Sequence, residues 1–370
     1  MPSKLFKTKK FLNIYSTQAF FSAASIFGGT FIYLYLFLKG FSYFELGVFT
    51  VLIYATPFLV LLKRRKVFLA TSMKQGILIK MLTFASVAFA DSMAALVLCA
   101  LFLGISRVFY WVPYNVALLS LDTNRAGLLS SLAFALPTLF GIVLPALGGI
   151  VADTFSFEIV FAISILILFG SLFTTGRIKE KTIIDFDGIV SWKKTTGIKT
   201  LMIIHGVWQG INWTALPLIT IYFLESATSY GAFFAYLGLV GATSSIFLGH
   251  STDKNNNRKK VLYPAAIGLG ITTLVSGFAG GLIFWAAARG FVSFFDNLCA
   301  PFTFSVVVDS HKDLQQSFIA NEMSIAAGRT LGAVVVLLSI AVGNIYLSLI
   351  AAGLAYLVFP LVLKKKKLYA

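Results

Sequence analysis

The sequence predicts an all-α, polytopic membrane protein with twelve transmembrane helices in two pseudo-symmetric halves of six. Composition is the first reason, since the 370 residues are 58% hydrophobic and only 12% charged. Soluble domains average about 25% charged residues. The second reason is a mean hydropathy of +0.88. The third is a strong asymmetry of Lys and Arg between alternate loops.

Twelve helices account for most of the chain. A spanning helix needs about 20 apolar residues, so twelve of them use about 240 and leave about 130 for loops and tails. The longest polar stretch runs from Gly176 to Lys199, which leaves no room for a soluble catalytic domain. We expect helices at 12–38, 42–62, 67–90, 93–119, 127–149, 156–175, 200–224, 230–249, 261–279, 281–308, 315–341 and 344–363.

The positive charges predict the orientation. Of 30 Lys and Arg residues, 24 fall in loops and tails on one side, Lys39 alone on the other, and five within helices. Positive loops stay in the cytoplasm, so both termini are expected there, in a multi-pass protein of the plasma (inner) membrane. The net charge of +16 is then a topology signal, and the expected partner is the lipid bilayer rather than nucleic acid. The basic start also resembles a signal peptide, but its apolar run exceeds the usual 7–15 residues.

An internal repeat predicts the domain boundaries. Ser42-Tyr43 and Ala55-Thr56 recur as Ser229-Tyr230 and Ala242-Thr243, all at an offset of 187. Transporter folds often contain two related halves. We interpret 1–175 and 200–370 as six-helix halves and 176–199 as a cytoplasmic linker, solvated rather than an amphipathic surface helix.

Two motifs connect the chain to a known family. The loop GHSTDKNNNRKK contains Gly249, Asp253, Lys254 and Arg258 at the spacing of a loop pattern of the major facilitator superfamily, with Asn where that pattern has its second Gly and its Arg. The chain resembles this superfamily over nearly its whole length. The resemblance implies that this loop gates the cytoplasmic side. The first-half counterpart keeps only its basic residues.

The fifth predicted helix is similar to the antiporter signature of the exporter branch. In LPALGG, Pro145, Gly148 and Gly149 match, while Leu144 stands where Gly is usual. Arg107 resembles the exporter Arg of the fourth helix, although Tyr110 and Trp111 replace the Gln-Gly that should follow. This weaker resemblance implies a drug or metabolite exporter.

Charged residues inside the helices predict a polar cavity. A charge at the bilayer centre costs about 2.5–3.5 kcal/mol, so such residues tend to face a cavity. Arg289 and Asp296 are seven residues apart and share one helix face, as do Glu322 and Arg329. The alternative is that ion pairs between them only fix helix packing.

Polar stripes on the first, fourth, seventh and tenth helices agree with the family, in which those helices line the central cavity. The predicted substrate and proton cavity comprises Gln18, Arg107, Tyr110, Tyr114, His205, Gln209, Asn212, Arg289, Asp296, Asn297, Glu322 and Arg329. His205 alone is more often a packed histidine than a proton carrier.

These features predict a secondary active transporter that moves a small organic solute by alternating access. No HExxH, GxSxG or Walker motif is present, so we expect no enzyme, cofactor or metal, and a proton gradient as the energy source. Asp296 is the expected coupling residue and Glu322 its cytoplasmic-side partner. We expect a functional monomer. Uniport and a non-transporting receptor or assembly subunit stay open, as does the choice between a zwitterionic or polar metabolite and a lipophilic compound.

Overall fold

Long helices dominate the computed structural model, which describes residues 8–122, 126–179, 181–195, 198–252, 258–309 and 313–365. Within these ranges the elements are α1 Lys9–Gly29, α2 Ile32–Leu38, α3 Tyr43–Leu62, β1 Lys66–Phe68, α4 Leu69–Ala88, α5 Met93–Leu119, α6 Ala126–Thr154, α7 Phe157–Gly176, β2 Ile183–Asp185, α8 Gly188–Lys194, α9 Lys199–Phe223, α10 Ala227–Thr252, α11 Arg258–Ser276, α12 Leu282–Asp309, α13 Leu314–Ala341, α14 Tyr346–Leu357 and α15 Phe359–Lys365. Each of the twelve predicted helices coincides with one or two of these elements.

In the described part of the chain, eight helical segments are long and apolar enough to cross a membrane, which supports a multi-pass membrane protein. They are Lys9–Leu38, Tyr43–Leu62, Met93–Leu119, Ala135–Thr154, Phe157–Gly176, Leu282–Val308, Leu314–Ala341 and Tyr346–Lys365. Among the described residues, α4, α9 and α10 are not in this set, and the apolar stretch Val261–Ser276 of α11 is shorter. The predicted total of twelve spans therefore remains a prediction.

Two predicted helices are interrupted, and a third begins later. The first, expected at 12–38, breaks between α1 and α2, where the Thr30 hydroxyl donates to the Ile26 carbonyl at 2.6 Å. The last breaks at Val358. The third predicted helix, expected at 67–90, begins only at Leu69, because Lys66–Phe68 form strand β1.

Local capping explains where α3 begins. Gly40 adopts a φ of +96°, in the left-handed region that glycine enters at no steric cost. Ser42 then caps α3, and the Glu45 carboxylate accepts a hydrogen bond from the Ser42 backbone N–H at 2.8 Å. This reciprocal capping box is typical of helix starts. The turn between α2 and α3 therefore ends at Ser42, the residue at which the second helix was predicted to begin.

The apolar core extends through the helix bundle and includes fully buried tryptophans. The Trp208 indole donates to the Thr273 hydroxyl at 2.9 Å, and the Trp285 indole donates to the Thr220 hydroxyl at 3.1 Å. Buried polar groups need such partners, because a group left without one loses its hydration.

Helices α9 and α13 approach closely through glycines. A Cβ placed on Gly210 would overlap the backbone of Arg329, and one on Gly332 would overlap the Val207 carbonyl. Small residues at a helix contact let the two backbones come together. This contact sets Gln209 of α9 beside Arg329 of α13, where the Arg329 Nε donates to the Gln209 Oε1 at 2.9 Å.

The linker is folded against the bundle and is not a solvated segment, contrary to the expectation from its charge. Strand β2 pairs antiparallel with β1, with Val67 opposite Ile184. Ile184 is fully buried, and the Trp192 indole of α8 donates to the Ser324 hydroxyl of α13 at 3.0 Å. The linker therefore contacts both halves of the bundle. We call this end of the bundle the linker side and the other end the far side.

An ion pair reinforces the strand contact. The Arg64 Nε donates to the Asp185 Oδ1 at 3.0 Å, and its Nη2 donates to the Oδ2. The Arg64 guanidinium lowers the pKa of the Asp185 carboxyl below its ordinary value. A lowered pKa means that the ion pair favours the docked strand above the ordinary carboxyl pKa, and that this contribution is lost as the pH falls through the lowered value.

The strand register predicts a specific cross-link. In a chain with Cys99 and Cys299 replaced by serine, the pair Val67→Cys and Ile184→Cys should form a disulfide quantitatively under mild oxidation at pH 7. Directly opposed residues in an antiparallel pair have Cα atoms about 4.5–5.5 Å apart, within the range of a disulfide. The control pair is Val67→Cys with Ile189→Cys, since Ile189 is an exposed residue of α8 outside the strand pair. Equal cross-linking of both pairs, measured by gel mobility after cleavage at a protease site introduced into the loop between α4 and α5, would contradict the register.

Candidate functional site

Two separate cavities lie among the long helices, and together they collect most of the charged residues of the spans. The first, cavity A, has a volume of about 300 Å³ and is lined mainly by α1, α3, α4 and α5. Its lining residues are Phe21, Ser25, Gly29, Ile32, Tyr33, Ile53, Tyr54, Lys80, Leu103, Ser106, Arg107, Trp111 and Trp213. Its charged residues are Lys80 and Arg107, both cationic.

The second cavity, cavity B, also has a volume of about 300 Å³ and is lined by α6, α9, α10 and α12. It holds Arg289 and Asp296, with Asn212, Ser293 and Asn297 as polar neighbours. The Arg289 Nη2 donates to the Asn212 Oδ1, whereas its Nε and Nη1 are buried without an acceptor in the described structure. The predicted face of Arg289 and Asp296 therefore does border one cavity.

Trp213 of α9 lines both cavities. The Arg107 guanidinium lies 5.4 Å from the centre of the Trp213 ring, and the Arg329 guanidinium lies 4.7 Å from it. Cations are attracted to the face of an indole ring. One tryptophan thus borders both cavities and contacts a cation from each half of the chain.

A hydrogen-bonded chain runs from the Glu322–Arg329 ion pair of α13 to His205 of α9 and Tyr356 of α14. The Arg329 Nη1 lies 3.7 Å from the Glu322 Oε1, and Gln209 joins Arg329 to His205, whose Nε2 lies 2.9 Å from the Gln209 Nε2. The His205 Nδ1 lies 3.2 Å from the Tyr356 hydroxyl. His205 is buried and hydrogen-bonded at both ring nitrogens, and it lines neither cavity A nor cavity B.

Three of the predicted cavity residues, Gln18, Tyr110 and Tyr114, line neither cavity A nor cavity B. The Tyr110 hydroxyl donates to the Gln18 Oε1 at 2.9 Å, and the Tyr110 ring stacks on Phe21 at 3.5 Å. Tyr114 stacks on Tyr110 at 5.8 Å, fully buried. Periodicity identified the polar face of α5 but not the helix that covers it.

The motif in α6 lies where the two halves touch. A Cβ on Gly149 would overlap the Ala227 carbonyl of α10, and a Cβ on Gly148 would overlap the Phe31 ring. The Pro145 carbonyl occupies the space beside Gly231, where a side chain would otherwise extend. In the second-half loop motif, Gly249 lies in α10 and Arg258 begins α11, while Asp253 and Lys254 fall outside the described residues.

A second contact between the halves lies on the far side and is absent from the predicted set. The Asp153 carboxylate at the end of α6 accepts hydrogen bonds from the backbone N–H groups of Ala227 at 3.0 Å and Thr228 at 2.7 Å. These are the first residues of α10. A carboxylate at a helix N-terminus satisfies unpaired donors and interacts favourably with the helix dipole. Asp153 therefore caps a helix of the opposite half.

Removing this cap should favour separation of the halves on the far side. Asp153→Ala should cost about 0.5–2 kcal/mol, the usual loss for an N-cap, which enlarges the open population about 2- to 30-fold. Distances between spin labels at Phe89 and Ile283, both exposed at far-side helix ends, should lengthen. The matched control is Asp91→Ala, an exposed carboxylate in the loop after α4. Identical distance distributions in the two variants would show that the cap does not hold the halves together.

Lys80 and Trp213 are site residues that the sequence reasoning missed. Lys80 is the twelfth residue of α4 and only 8% exposed. The sequence signal that could have identified Lys80 was a charged residue near the middle of a predicted transmembrane helix. Trp213 follows Gln209 at i+4, so its position on the polar face of α9 was also readable.

Within the described residues, no group of three His, Cys, Asp or Glu side chains comes together as a metal site. A larger crevice of about 470 Å³ lies on the far side, lined by residues that include Tyr43, Tyr222 and Tyr346, and it contains no charged side chain. Among these three cavities, the charged lining residues therefore lie in cavities A and B.

Comparison with known proteins identifies the fold. No protein-family model matches the chain, and no curated protein matches it. Solved structures of transporters, in contrast, align with nearly the whole chain. The human organic anion transporter MFSD10 (TETRAN) aligns with a TM-score of 0.68 at 13% identity, over 98% of this chain and 100% of that one. The peptide transporter POT in complex with sulfate aligns with a TM-score of 0.71 at 13% identity, over 96% of this chain and 94% of that one.

A variant of the same peptide transporter aligns equally well, with a TM-score of 0.71 at 14% identity. These structures are transporters and not enzymes. The chain therefore has the fold of major facilitator transporters, as the sequence resemblance implied.

Proposed function

We propose that the chain is a secondary active transporter that moves a small organic solute across the plasma (inner) membrane by alternating access. The observation that carries the proposal is the pair of cavities A and B, which collect four charged side chains around Trp213, where residues of both halves meet. Twelve spans, two six-helix halves and a functional monomer complete the proposal. The neighbouring folds belong to proteins named as an organic anion transporter and a peptide transporter.

Proton coupling through Asp296 is part of the proposal. In the described structure no cation lies within 4.0 Å of the Asp296 carboxylate, although Arg289 lines the same cavity with two donors that lack acceptors. A carboxylate can exchange a proton for an Arg partner as its surroundings change. The other titratable side chains in electrostatic contact with Asp296 are Cys299 and Tyr356. Glu322 is proposed as the partner on the linker side.

The test of transport is solute flux into proteoliposomes under an imposed pH gradient. The panel of labelled solutes is benzenesulfonate, alanine, dialanine, glucose and ethidium, with internal pH followed by a trapped dye. Accumulation of one member together with proton movement is the expected result. Flux that ignores the pH gradient would indicate a uniporter, and binding without flux would indicate a receptor or assembly subunit. Efflux from preloaded vesicles tests the exporter direction that the α6 motif favours.

Orientation is testable independently of substrate. Both termini and the linker should be cytoplasmic, because 24 of 30 positive charges lie on that side. A fluorescent reporter that matures only in the cytoplasm, fused after Ala370, should be bright. The comparison is the same reporter in the α2–α3 turn after Gly40, which should stay dark. The opposite pattern would reverse the orientation.

A further inference from the structure

We propose that cavity A binds a small organic anion with a flat, apolar body, whose acidic group lies between Lys80 and Arg107. This inference rests on the proposed function and names the class of its solute. Lys80 and Arg107 are the charged residues of the cavity lining, and no described carboxylate lies within 4.0 Å of either cation.

Lys80 differs from the other buried cations, Arg289 and Arg329. Arg329 has Glu322 at 3.7 Å and Gln209 as an acceptor, and Arg289 has Asn212 and shares its cavity with Asp296. Lys80 is 8% exposed, and its Nζ makes no hydrogen bond or ion pair with any described residue, its recorded contact being the Phe84 ring at 5.0 Å. Buried charges are normally paired. Lys80 therefore lacks a partner that an anion in cavity A would supply.

A hydroxyl supports the same conclusion independently. Ser25 of α1 lines cavity A, and its buried Oγ has no hydrogen-bond partner in the described structure. Buried hydroxyls without a partner are uncommon. Lys80, Arg107 and Ser25 all supply donors to one cavity, so the complementary ligand is rich in acceptors. Carboxylates, sulfonates and phosphates have that property.

The remaining walls indicate what the acidic group is attached to. Phe21, Tyr54, Trp111 and Trp213 present aromatic surface to the cavity. A volume of about 300 Å³ lies at the small end of the range for ligand pockets. Aromatic walls bury a flat apolar body well, whereas an inorganic ion would leave them unused. The geometry points to an organic anion rather than chloride or inorganic phosphate.

Binding to the purified full-length protein tests this without any transport assay. The probes are benzenesulfonate, its neutral analogue benzenesulfonamide and the cation benzyltrimethylammonium, with chloride and phosphate as inorganic anions. Affinity is measured by calorimetry in detergent at constant ionic strength. We expect benzenesulfonate to bind at least ten-fold more tightly than each of the other four probes. Equal or weaker binding of benzenesulfonate, or no binding at all, would overturn the proposal.

Variants locate the site. Lys80→Met and Arg107→Met should each weaken benzenesulfonate binding at least ten-fold, and Lys80→Arg should retain it. Lys74→Met is the matched control, because Lys74 lies on the same helix outside the cavity lining. If Lys80→Met is not monodisperse, Lys80→Arg and Ser25→Val are compared instead. We then expect Lys80→Arg to retain benzenesulfonate binding and Ser25→Val to weaken it. Unchanged binding in the cavity variants would overturn the site.

Failure of this inference can be told apart from failure of the proposed function. Selective benzenesulfonate binding without flux in proteoliposomes would leave the anion site standing and remove the transporter. Flux of alanine, glucose or ethidium coupled to protons, with no anion preference, would leave the transporter standing and remove the anion site.

Discussion

Asp296→Asn should abolish gradient-driven accumulation of the transported solute while sparing exchange of solute across the membrane. Asparagine keeps the size and one acceptor oxygen of the side chain, replaces the other oxygen by an NH2 donor, and cannot take up a proton. Asp296 lines cavity B beside Arg289, whose Nε and Nη1 have no acceptor in the described structure. An amide cannot alternate between binding a proton and pairing with a guanidinium. The imposed pH gradient should therefore no longer drive accumulation of the solute.

The measurement is accumulation in proteoliposomes at several imposed pH gradients, using the solute that the flux panel identifies. Wild-type accumulation should rise with the gradient, and the variant should remain at the equilibrated level. Glu45→Gln is the control, since it removes a carboxylate that lines neither cavity, and glutamine also fits this position of a capping box. If Asp296→Asn accumulates solute with the wild-type response to pH, the carboxylate is structural.

Gly238→Ala should trap the protein with its halves apart, whereas Gly141→Ala should be tolerated. The two glycines face each other where α6 meets α10. A Cβ on Gly238 would overlap the carbonyl of Gly141, but a Cβ on Gly141 would have the Gly238 Cα as its nearest atom, at 3.8 Å. The same contact therefore tolerates one methyl group and excludes the other. Overpacking of this kind costs about 1–3 kcal/mol, which depletes the packed arrangement by about 5- to 150-fold.

Spin-label distances between Phe89 and Ile283 provide the readout, together with the midpoint of thermal unfolding. Gly238→Ala should lengthen the distance and reduce transport at least ten-fold, while Gly141→Ala leaves both near wild type. Similar behaviour of the two variants would contradict the one-sided contact. A lower unfolding midpoint with an unchanged distance would indicate that Gly238 serves stability and not the approach of the halves.

Much of the helical framework was predictable because hydrophobic length and loop charge encode it directly. The predicted boundaries of α3, α5 and α7 agree with the structure within a residue at each end. The break before Phe31 was not predictable, because Thr30 and the glycines before it fit a continuous apolar helix. Strand β1 was missed since its three residues depend on a partner more than 110 positions away.

The sequence predicted which helix face carries the site residues, but it did not predict which neighbouring helix contacts that face. Arg289 and Asp296 share a cavity as their seven-residue spacing indicated. Tyr110 lies on the polar face of α5 yet is covered by Phe21 of α1, because which helix covers a face depends on packing between distant segments. Trp213 and Lys80 acquire their roles only through that packing.

The docked linker has an energetic consequence for the resting protein. It is attached to the first half through the β1–β2 pair and to the second through the bond from Trp192 to Ser324. Separation of the two halves at this end must break one of these attachments. A single hydrogen bond contributes about 0.5–1.5 kcal/mol, so its loss shifts such an equilibrium about 2- to 13-fold. In the proposed transport cycle, the linker would therefore favour the conformation in which the two halves are together at this end.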